Sequence, residues 1–214
     1  MIIPKVSCIM PTANRLKFIP QAINNFLNQD YPDIELIIID DGIRSAMSLI
    51  PDHPNIKYYY SDPIGTIGTK RNYACEKTTG KIILHWDDDD WYAPDWASKQ
   101  AYYLQNSNAD ICGIEHVHFY SPVTDTLWLG TSKCRNKDYR TQWLNGATLG
   151  YWKSFWAKHP FEDINTKEDD GFITKHGGKS YAHEYIDGFV AVLHANNTTL
   201  KYFEHPREKR RIKK

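Results

Sequence analysis

The fold is decided by residues 82–91, which read Ile-Ile-Leu-His-Trp-Asp-Asp-Asp-Asp-Trp. A short apolar run without alternating polar residues is typical of a strand covered on both faces, as in a parallel sheet. Residues 6–10 and 36–39 are apolar runs of the same kind, and they end at Pro11-Thr12 and at Asp40-Asp41-Gly42. Because open α/β sheets bind ligands beyond the carboxyl ends of their strands, we expect a binding site at this edge.

The surrounding sequence alternates between strand and helix patterns as far as residue 105. We predict a further strand over 56–60 and helices over 18–27, 67–77 and 94–105. This alternation favours an α/β fold with a Rossmann-like, mostly parallel central sheet flanked by helices. The later pattern is mixed: we predict strands over 111–120, 126–129 and 189–194, and short helices over 151–158 and 169–176.

Length and composition indicate one globular domain. The chain has 214 residues, of which 41% are hydrophobic and 24% charged. We expect one domain over 1–206. Four scattered cysteines favour neither a disulfide framework nor a zinc site. No signal peptide or membrane-length apolar run is evident, so we expect a cytoplasmic protein.

The four consecutive carboxylates Asp87–Asp90 are the strongest chemical signal. Adjacent carboxylates repel one another unless a positive group neutralises them. A hard divalent cation such as Mn²⁺ or Mg²⁺ takes oxygen ligands and bridges carboxylates to substrate phosphates. The alternative is a solvated acidic turn, but the position at a strand end between two tryptophans favours the metal.

Four segments resemble family 2 glycosyltransferases. They are VSCIMPTANR (6–15), ELIIIDDG (35–42), IGTKRNYACEKTTGKIILHWDDDDW (67–91) and KEDDGF (167–172). The resemblance covers roughly residues 5–175 in the family's order and spacing. It implies a single GT-A domain that moves a hexose, with inversion, from a nucleotide diphosphate donor such as a UDP-sugar to an acceptor hydroxyl. In such a domain, the nucleotide-binding half would span about 1–105 and the acceptor-binding half about 106–206.

The resemblance also implies roles for individual residues. The nucleotide-binding group comprises Pro11, Thr12, Asn14, Arg15, Asp40, Arg71, Asp87 and Asp88. Asp89 is the main metal ligand, and Asp87 and His194 are further candidates; a purely structural histidine at a strand end is the alternative for His194.

The second acidic cluster, Glu168-Asp169-Asp170, supplies the candidate general base. Transfer needs a group that accepts the proton of the acceptor hydroxyl. We assign this role to Asp169, with Glu168 as the second choice. An acidic first turn of a helix is the structural alternative, because carboxylates favour that position. For the donor or acceptor sugar we select Trp91, Trp143 and Gly146, with ordinary packing as the alternative for both tryptophans.

Two other functions compete with glycosyl transfer. A sugar nucleotidyltransferase would need a glycine-rich first loop, and residues 11–15 contain no glycine. A non-catalytic nucleotide-sugar-binding module would not need two acidic clusters.

The expected pathway is the synthesis of cell-surface or other glycans, with a glycan or lipid-linked acceptor.

The last eight residues, 207–214, form a basic tail with six bases and one acid. Its net charge is +5, so the rest of this neutral chain carries −5. We expect the tail to be disordered and to support weak peripheral association with the inner membrane face; a solubility tail is the alternative. No nucleic-acid-binding motif accompanies it, so we expect no nucleic-acid partner.

Overall fold

A computed structural model describes residues 3–131, 144–175, 177–195, 197 and 210–211. The strands are β1 (Val6–Thr12), β2 (Ile34–Asp40), β3 (Ile56–Tyr60), β4 (Ile82–His85), β5 (Trp91–Tyr92), β6 (Ile111–Gly113), β7 (His116–Ser121), β8 (Thr126–Thr131), β9 (Gly150–Trp152), β10 (Ser180–Ala182), β11 (Phe189–Val192) and β12 (Arg210–Arg211). The helices are α1 (Ile19–Leu27), α2 (Ile67–Lys77), α3 (Trp96–Asn106), α4 (Lys153–Trp156) and α5 (Glu168–Thr174), with short 3₁₀ turns at Met47–Leu49, Gly146–Thr148 and Ile186–Gly188.

The central sheet has seven strands in the order β10-β6-β9-β4-β1-β2-β3. β1 pairs in parallel with both of its neighbours, β2 and β4, so the three strand ends with polar residues are adjacent. Successive side chains of a strand point to opposite faces, and accordingly Met10 and Ile9 belong to two separate apolar cores, one on each face of the sheet. The predicted α/β class with a mostly parallel central sheet is confirmed.

A second, mixed sheet has the order β12-β8-β7-β11-β5. β5 follows Asp90 directly and pairs antiparallel with β11, which brings the end of β11 to the acidic run. The region after residue 105, which the sequence predicts as a smaller mixed part, is divided between the sheets: β7, β8, β11 and β12 lie in this sheet, whereas β6, β9 and β10 extend the central sheet.

Two predicted elements are wrong. Residues 111–120 do not form one strand. The strand β6 ends at Gly113, Ile114 O accepts a hydrogen bond of 2.9 Å from Asn145 N, and the chain continues as β7 in the other sheet. Residues 151–158 are not a helix throughout, because β9 inserts antiparallel between β4 and β6 before the short α4 begins. Tyr151 is fully buried there, and its packing overrides the helical pattern.

Of the basic tail, the structure describes only Arg210–Arg211, whose backbone pairs antiparallel with Trp128 and Leu129 of β8. The other tail residues lie outside the described residues, as does Trp143. Within the described ranges, no helix has both the length and the hydropathy needed to cross a membrane.

Candidate active site

The carboxylate of Asp88 contacts residues at the end of β1 and in the loop that follows it. Thr12 Oγ1 donates a hydrogen bond of 2.5 Å to Asp88 Oδ2, and Arg15 Nη1 donates one of 2.7 Å to Asp88 Oδ1. Arg15 Nη1 also lies 2.8 Å from Asp89 Oδ2, so one guanidinium holds two carboxylates of the acidic run. Burial raises the pKa of Asp88 to about 6, although Arg15 and Thr12 act in the opposite direction. The loop after β1 therefore meets the acidic run as the sequence predicts.

His194 reaches Asp89 from the end of β11. Its Nε2 lies 3.0 Å from Asp89 Oδ2, and Asn197 Nδ2 donates a hydrogen bond of 3.1 Å to the same oxygen. The imidazole also stacks on Phe18, with the ring centroids 4.4 Å apart. Burial lowers the pKa of His194, against the opposing charge of Asp89. The structure thus brings together Asp89 and His194, which are 105 residues apart in sequence.

Whether Asp89 and His194 can bind a divalent cation depends on their donor atoms and on the distance between these atoms. Two adjacent ligands of an octahedral ion at about 2.1 Å lie about 3 Å apart, which matches the separation of Asp89 Oδ2 and His194 Nε2. Carboxylate oxygen and imidazole nitrogen both suit Mn²⁺. The described residues contain no group of three or more His, Cys, Asp or Glu side chains arranged to hold a metal. Asp89 and His194 would supply part of a coordination shell, as is usual for ions that also bind substrate phosphates.

Asp40 is buried, and both of its oxygens hold the loop that follows β2. Oδ1 accepts from Gly42 N at 3.0 Å, and Oδ2 accepts from Ala46 N at 2.9 Å and from the hydroxyl of Tyr58 at 2.7 Å. The next residue, Asp41, pairs instead with the ammonium of Lys70 on α2. Sequence reasoning did not select Asp41 or Lys70, although each stands beside a selected residue, Asp40 and Arg71.

Asn14 joins the loops that follow β1 and β2. It adopts the left-handed conformation, with φ of 57°, and its Oδ1 accepts a hydrogen bond of 2.8 Å from Ile43 N. A Cβ on Gly42 would lie 2.5 Å from Asn14 N, so this close approach requires glycine. Pro11 lies beyond Ile9 and His85, the last β1–β4 pair, where a missing N–H costs the sheet little.

Arg71 is buried at the centre of the site. Its Nε lies 3.3 Å from Glu168 Oε1, its Nη2 3.8 Å from Asp87 Oδ1, and its Nη1 2.7 Å from Nδ1 of the fully buried His85. Burial and then the neighbouring charge of Asp169 raise the pKa of Glu168, against the attraction of Arg71. Arg71 therefore connects the acidic run with the second acidic cluster.

The second acidic cluster occupies the first turn of α5. A loop before this helix is tied to the start of α2, where Asp163 Oδ1 accepts hydrogen bonds of 2.7 and 2.6 Å from the hydroxyls of Thr66 and Thr69. A Cβ on Gly146 would lie only 1.8 Å from Asp169 Oδ2, so the Gly146 backbone rests directly against that carboxylate. Burial and then the charge of Asp169 raise the pKa of Asp170 to about 6.

Trp91 on β5 follows the acidic run directly and leaves 39% of its surface exposed.

The chain is similar in sequence to proteins of a known family. Residues 7–164 match the model of the family described as Glycosyl transferase family 2. A Campylobacter jejuni protein, GalNAc(5)-diNAcBac-PP-undecaprenol beta-1,3-glucosyltransferase, is 34% identical over 94 residues, which cover 41% of this chain and 30% of the relative. The segments matched in the first curated relatives span less than half of each relative's length.

Two solved structures share the fold. Staphylococcus aureus TarS 1–349 in complex with UDP-GlcNAc has a TM-score of 0.71 at 17% identity and covers 92% of this chain and 61% of that protein. The mannosyltransferase PcManGT from Pyrobaculum calidifontis, in complex with GDP-Man and Mn²⁺, has a TM-score of 0.68 at 18% identity and covers 90% and 57%. Both belong with the α/β architecture described above.

Proposed function

Because the chain belongs to glycosyl transferase family 2, we propose that it transfers a sugar from a nucleotide diphosphate donor to an acceptor hydroxyl. The observation that carries the proposal is the pairing of two acidic clusters around one buried arginine. Asp87 and Glu168 both face Arg71, at 3.8 and 3.3 Å. One cluster suits a donor held through its phosphates, and the other suits a proton acceptor.

The donor would lie across the ends of β1, β2 and β4. Asn14, Asp41 and Lys70 line the side nearest β2 and offer polar groups for the base and ribose. Arg15 and Arg71 provide positive charge close to the acidic run. We favour a UDP-sugar, in keeping with TarS, whose structure holds UDP-GlcNAc; the GDP-Man bound by PcManGT makes a guanine donor the second choice.

Asp89 and His194 would hold a Mn²⁺ or Mg²⁺ ion, and Mn²⁺ is present in PcManGT. Asp87, the third candidate ligand, faces Arg71 instead. When bound, such an ion neutralises the charge that develops on the departing diphosphate. Arg15 pairs with Asp88 and Asp89, at 2.7 and 2.8 Å, and so neutralises part of the charge of the acidic run.

Asp169 would accept the proton of the attacking hydroxyl. Glu168 is 6% exposed and paired with Arg71, which leaves it a structural and electrostatic role. Asp169 is less buried than Glu168 and lies against the Gly146 backbone. The acceptor oxygen attacks the anomeric carbon from the side opposite the diphosphate, which inverts the configuration.

The acceptor is proposed to be a lipid-linked or other cell-surface glycan, in line with the undecaprenol-linked name of the Campylobacter relative. The exposed Trp91 offers a stacking surface for one of its rings. The basic tail would bring the enzyme to an anionic membrane surface.

A panel of nucleotide sugars, assayed for release of free nucleotide with Mn²⁺ and with chelator, tests the proposal. We expect release with one donor, increased by an acceptor glycan and abolished by chelator. Nucleotide binding without release for every donor and acceptor would instead favour a non-catalytic binding module.

A further inference from the structure

Asn72 follows Arg71 on α2, and its side-chain amide holds the segment that leads to α5. Its Nδ2 donates a hydrogen bond of 2.8 Å to Phe161 O, and its Oδ1 accepts one of 2.9 Å from Phe161 N. The same Oδ1 accepts a hydrogen bond from Nε1 of Trp156 on α4, also at 2.9 Å. Both main-chain polar groups of Phe161 are therefore bonded to one side chain of α2.

Residues 161–165, which we call the strap, run along the first turns of α2. Gly68 N donates a hydrogen bond of 3.2 Å to Ile164 O, and a Cβ on Gly68 would lie only 1.8 Å from Glu162 O. Asp163, also in the strap, accepts two hydrogen bonds at the start of α2. The position of the strap is thus set by α2, the helix that carries the buried arginine of the site.

The strap packs in turn against α5 through Phe161. The ring of Phe161 stacks on that of Phe172, with the centroids 4.3 Å apart and an interplanar angle of 25°. Both rings are buried, so the contact between them is stabilised by the removal of apolar surface from water. Phe161 therefore links the amide of Asn72 to the middle of α5.

α2 holds α5 at two points. Arg71 pairs with Glu168 at the start of α5, and Asn72 acts through the strap on Phe172, about one turn later. Asp169 lies between these two points. Two contacts along one helix restrict both its position and its rotation, whereas the ion pair alone would leave α5 free to rotate about it.

We propose that Asn72 is a positioning residue, which together with Arg71 orients α5 and so places the carboxylate of Asp169 for proton transfer. Asn72 itself does not touch the reacting groups, and it acts through the backbone of the strap. The inference rests on the proposed function, in which Asp169 is the general base. Two consecutive residues of α2 thus act on one helix of the acceptor side.

Asn72→Ala tests this role. We expect kcat for transfer to fall roughly 10- to 100-fold, the scale of a displacement of about 1 Å, while donor KM and UDP affinity change less than about threefold. In an Asp169→Asn background the same substitution should lower kcat less than about threefold, because the group that Asn72 positions is already absent. Wild-type kcat in Asn72→Ala, or an equal loss in both backgrounds, would overturn the proposal.

Thr78→Val is the matched control for lost stability. Thr78 is buried just beyond the end of α2, where its hydroxyl donates a hydrogen bond of 2.6 Å to Cys75 O. The variant loses a buried hydrogen bond at the same helix, so its thermal midpoint should fall while kcat stays within about twofold of wild type. A loss of kcat in Thr78→Val as large as in Asn72→Ala would reduce Asn72 to a general role in stability.

Hydrogen exchange gives a readout that needs no substrate. The backbone amides of α5 should exchange at least about tenfold faster in Asn72→Ala than in wild type, while those of β1 change less than about threefold. Thr78→Val should leave the exchange of α5 unchanged. Unchanged exchange of α5 in Asn72→Ala, or equally faster exchange in β1, contradicts the positioning role. Faster exchange of α5 in a chain whose wild type turns over no donor contradicts the proposed function instead.

Discussion

Arg71 and Glu168 form a buried ion pair, with Nε 3.3 Å from Oε1, that joins α2 to the first turn of α5. They are 97 residues apart in sequence, and the loop at Asp163 that caps α2 brings them together. Through Arg71, the acidic run and the second acidic cluster lie next to each other, with Asp87 and Glu168 on the same guanidinium. The predictions below test the parts of the site separately.

Asp169→Asn should lower kcat by roughly 10²-fold or more while UDP affinity stays within about threefold, because the variant loses a general base and no donor contact. Stopped-time assays of nucleotide release, with UDP titrations in parallel, measure both quantities. Asp170→Asn is the matched control on the same turn and should keep most activity. Loss of turnover in Glu168→Gln with none in Asp169→Asn would transfer the role of base to Glu168.

Gly146→Ala should mimic the loss of Asp169. The new Cβ would lie 1.8 Å from Asp169 Oδ2, so the carboxylate must move. We expect kcat to fall roughly 10²-fold, since displacement of a catalytic group by about 1 Å has effects of this size. In the double variant with Asp169→Asn the two losses should not add. Fully additive losses would show that Gly146 acts elsewhere.

Because of Glu35, the free energy of unfolding should depend on pH in the acid range. Its buried carboxylate accepts from Lys57 at 2.9 Å, from Ser7 at 2.7 Å and from Thr79 N at 2.6 Å. These hydrogen bonds, led by that from Lys57, outweigh burial and lower the pKa of Glu35 from 4.5 to about 2. Because the folded-state pKa is depressed, the stabilisation is complete above pH 4.5 and is lost as the pH falls toward 2.

Urea unfolding of Glu35→Gln checks this directly. At pH 7 the variant should lose roughly 1–3 kcal/mol of unfolding free energy, since Lys57 and the second partner, Lys5 with its Nζ 3.2 Å from Glu35 Oε2, keep access to solvent. The difference from wild type should shrink steadily below pH 4.5. A difference that is the same at pH 7 and pH 3 contradicts the assignment.

The basic tail should act outside the chemistry. Deleting residues 207–214 should preserve turnover on a soluble acceptor and weaken binding to anionic vesicles at low salt, because each base contributes about 1 kcal/mol near such a surface. The full chain on neutral vesicles is the control. If vesicle binding does not depend on salt, or is absent, the membrane role of the tail is excluded. Loss of turnover on truncation would place the tail, including the β12 strand, within the active domain.

The sequence predicts the parts of the site that depend on strand ends. Continuous apolar runs gave β1, β2 and β4, and their polar ends bring Thr12, Arg15 and Asp88 together as expected. β9 was not predicted because it pairs with β4 and β6, which are distant in sequence, and because its three residues are too few to show the alternation typical of a strand. His85 and Lys70 were not selected because their roles come from tertiary contacts with Gly146 and Asp41.

The most direct test of the central claim is UDP binding by calorimetry, with and without Mn²⁺, to wild type, Asp89→Asn and Asp90→Asn. The Asp90 side chain accepts from Val192 N at 2.9 Å, a contact that asparagine preserves, so Asp90→Asn is the matched control. We predict that Mn²⁺ strengthens binding at least about tenfold in wild type and Asp90→Asn, and has no effect in Asp89→Asn. Equal Mn²⁺ enhancement in all three proteins would contradict the claim that Asp89 holds a metal for the donor.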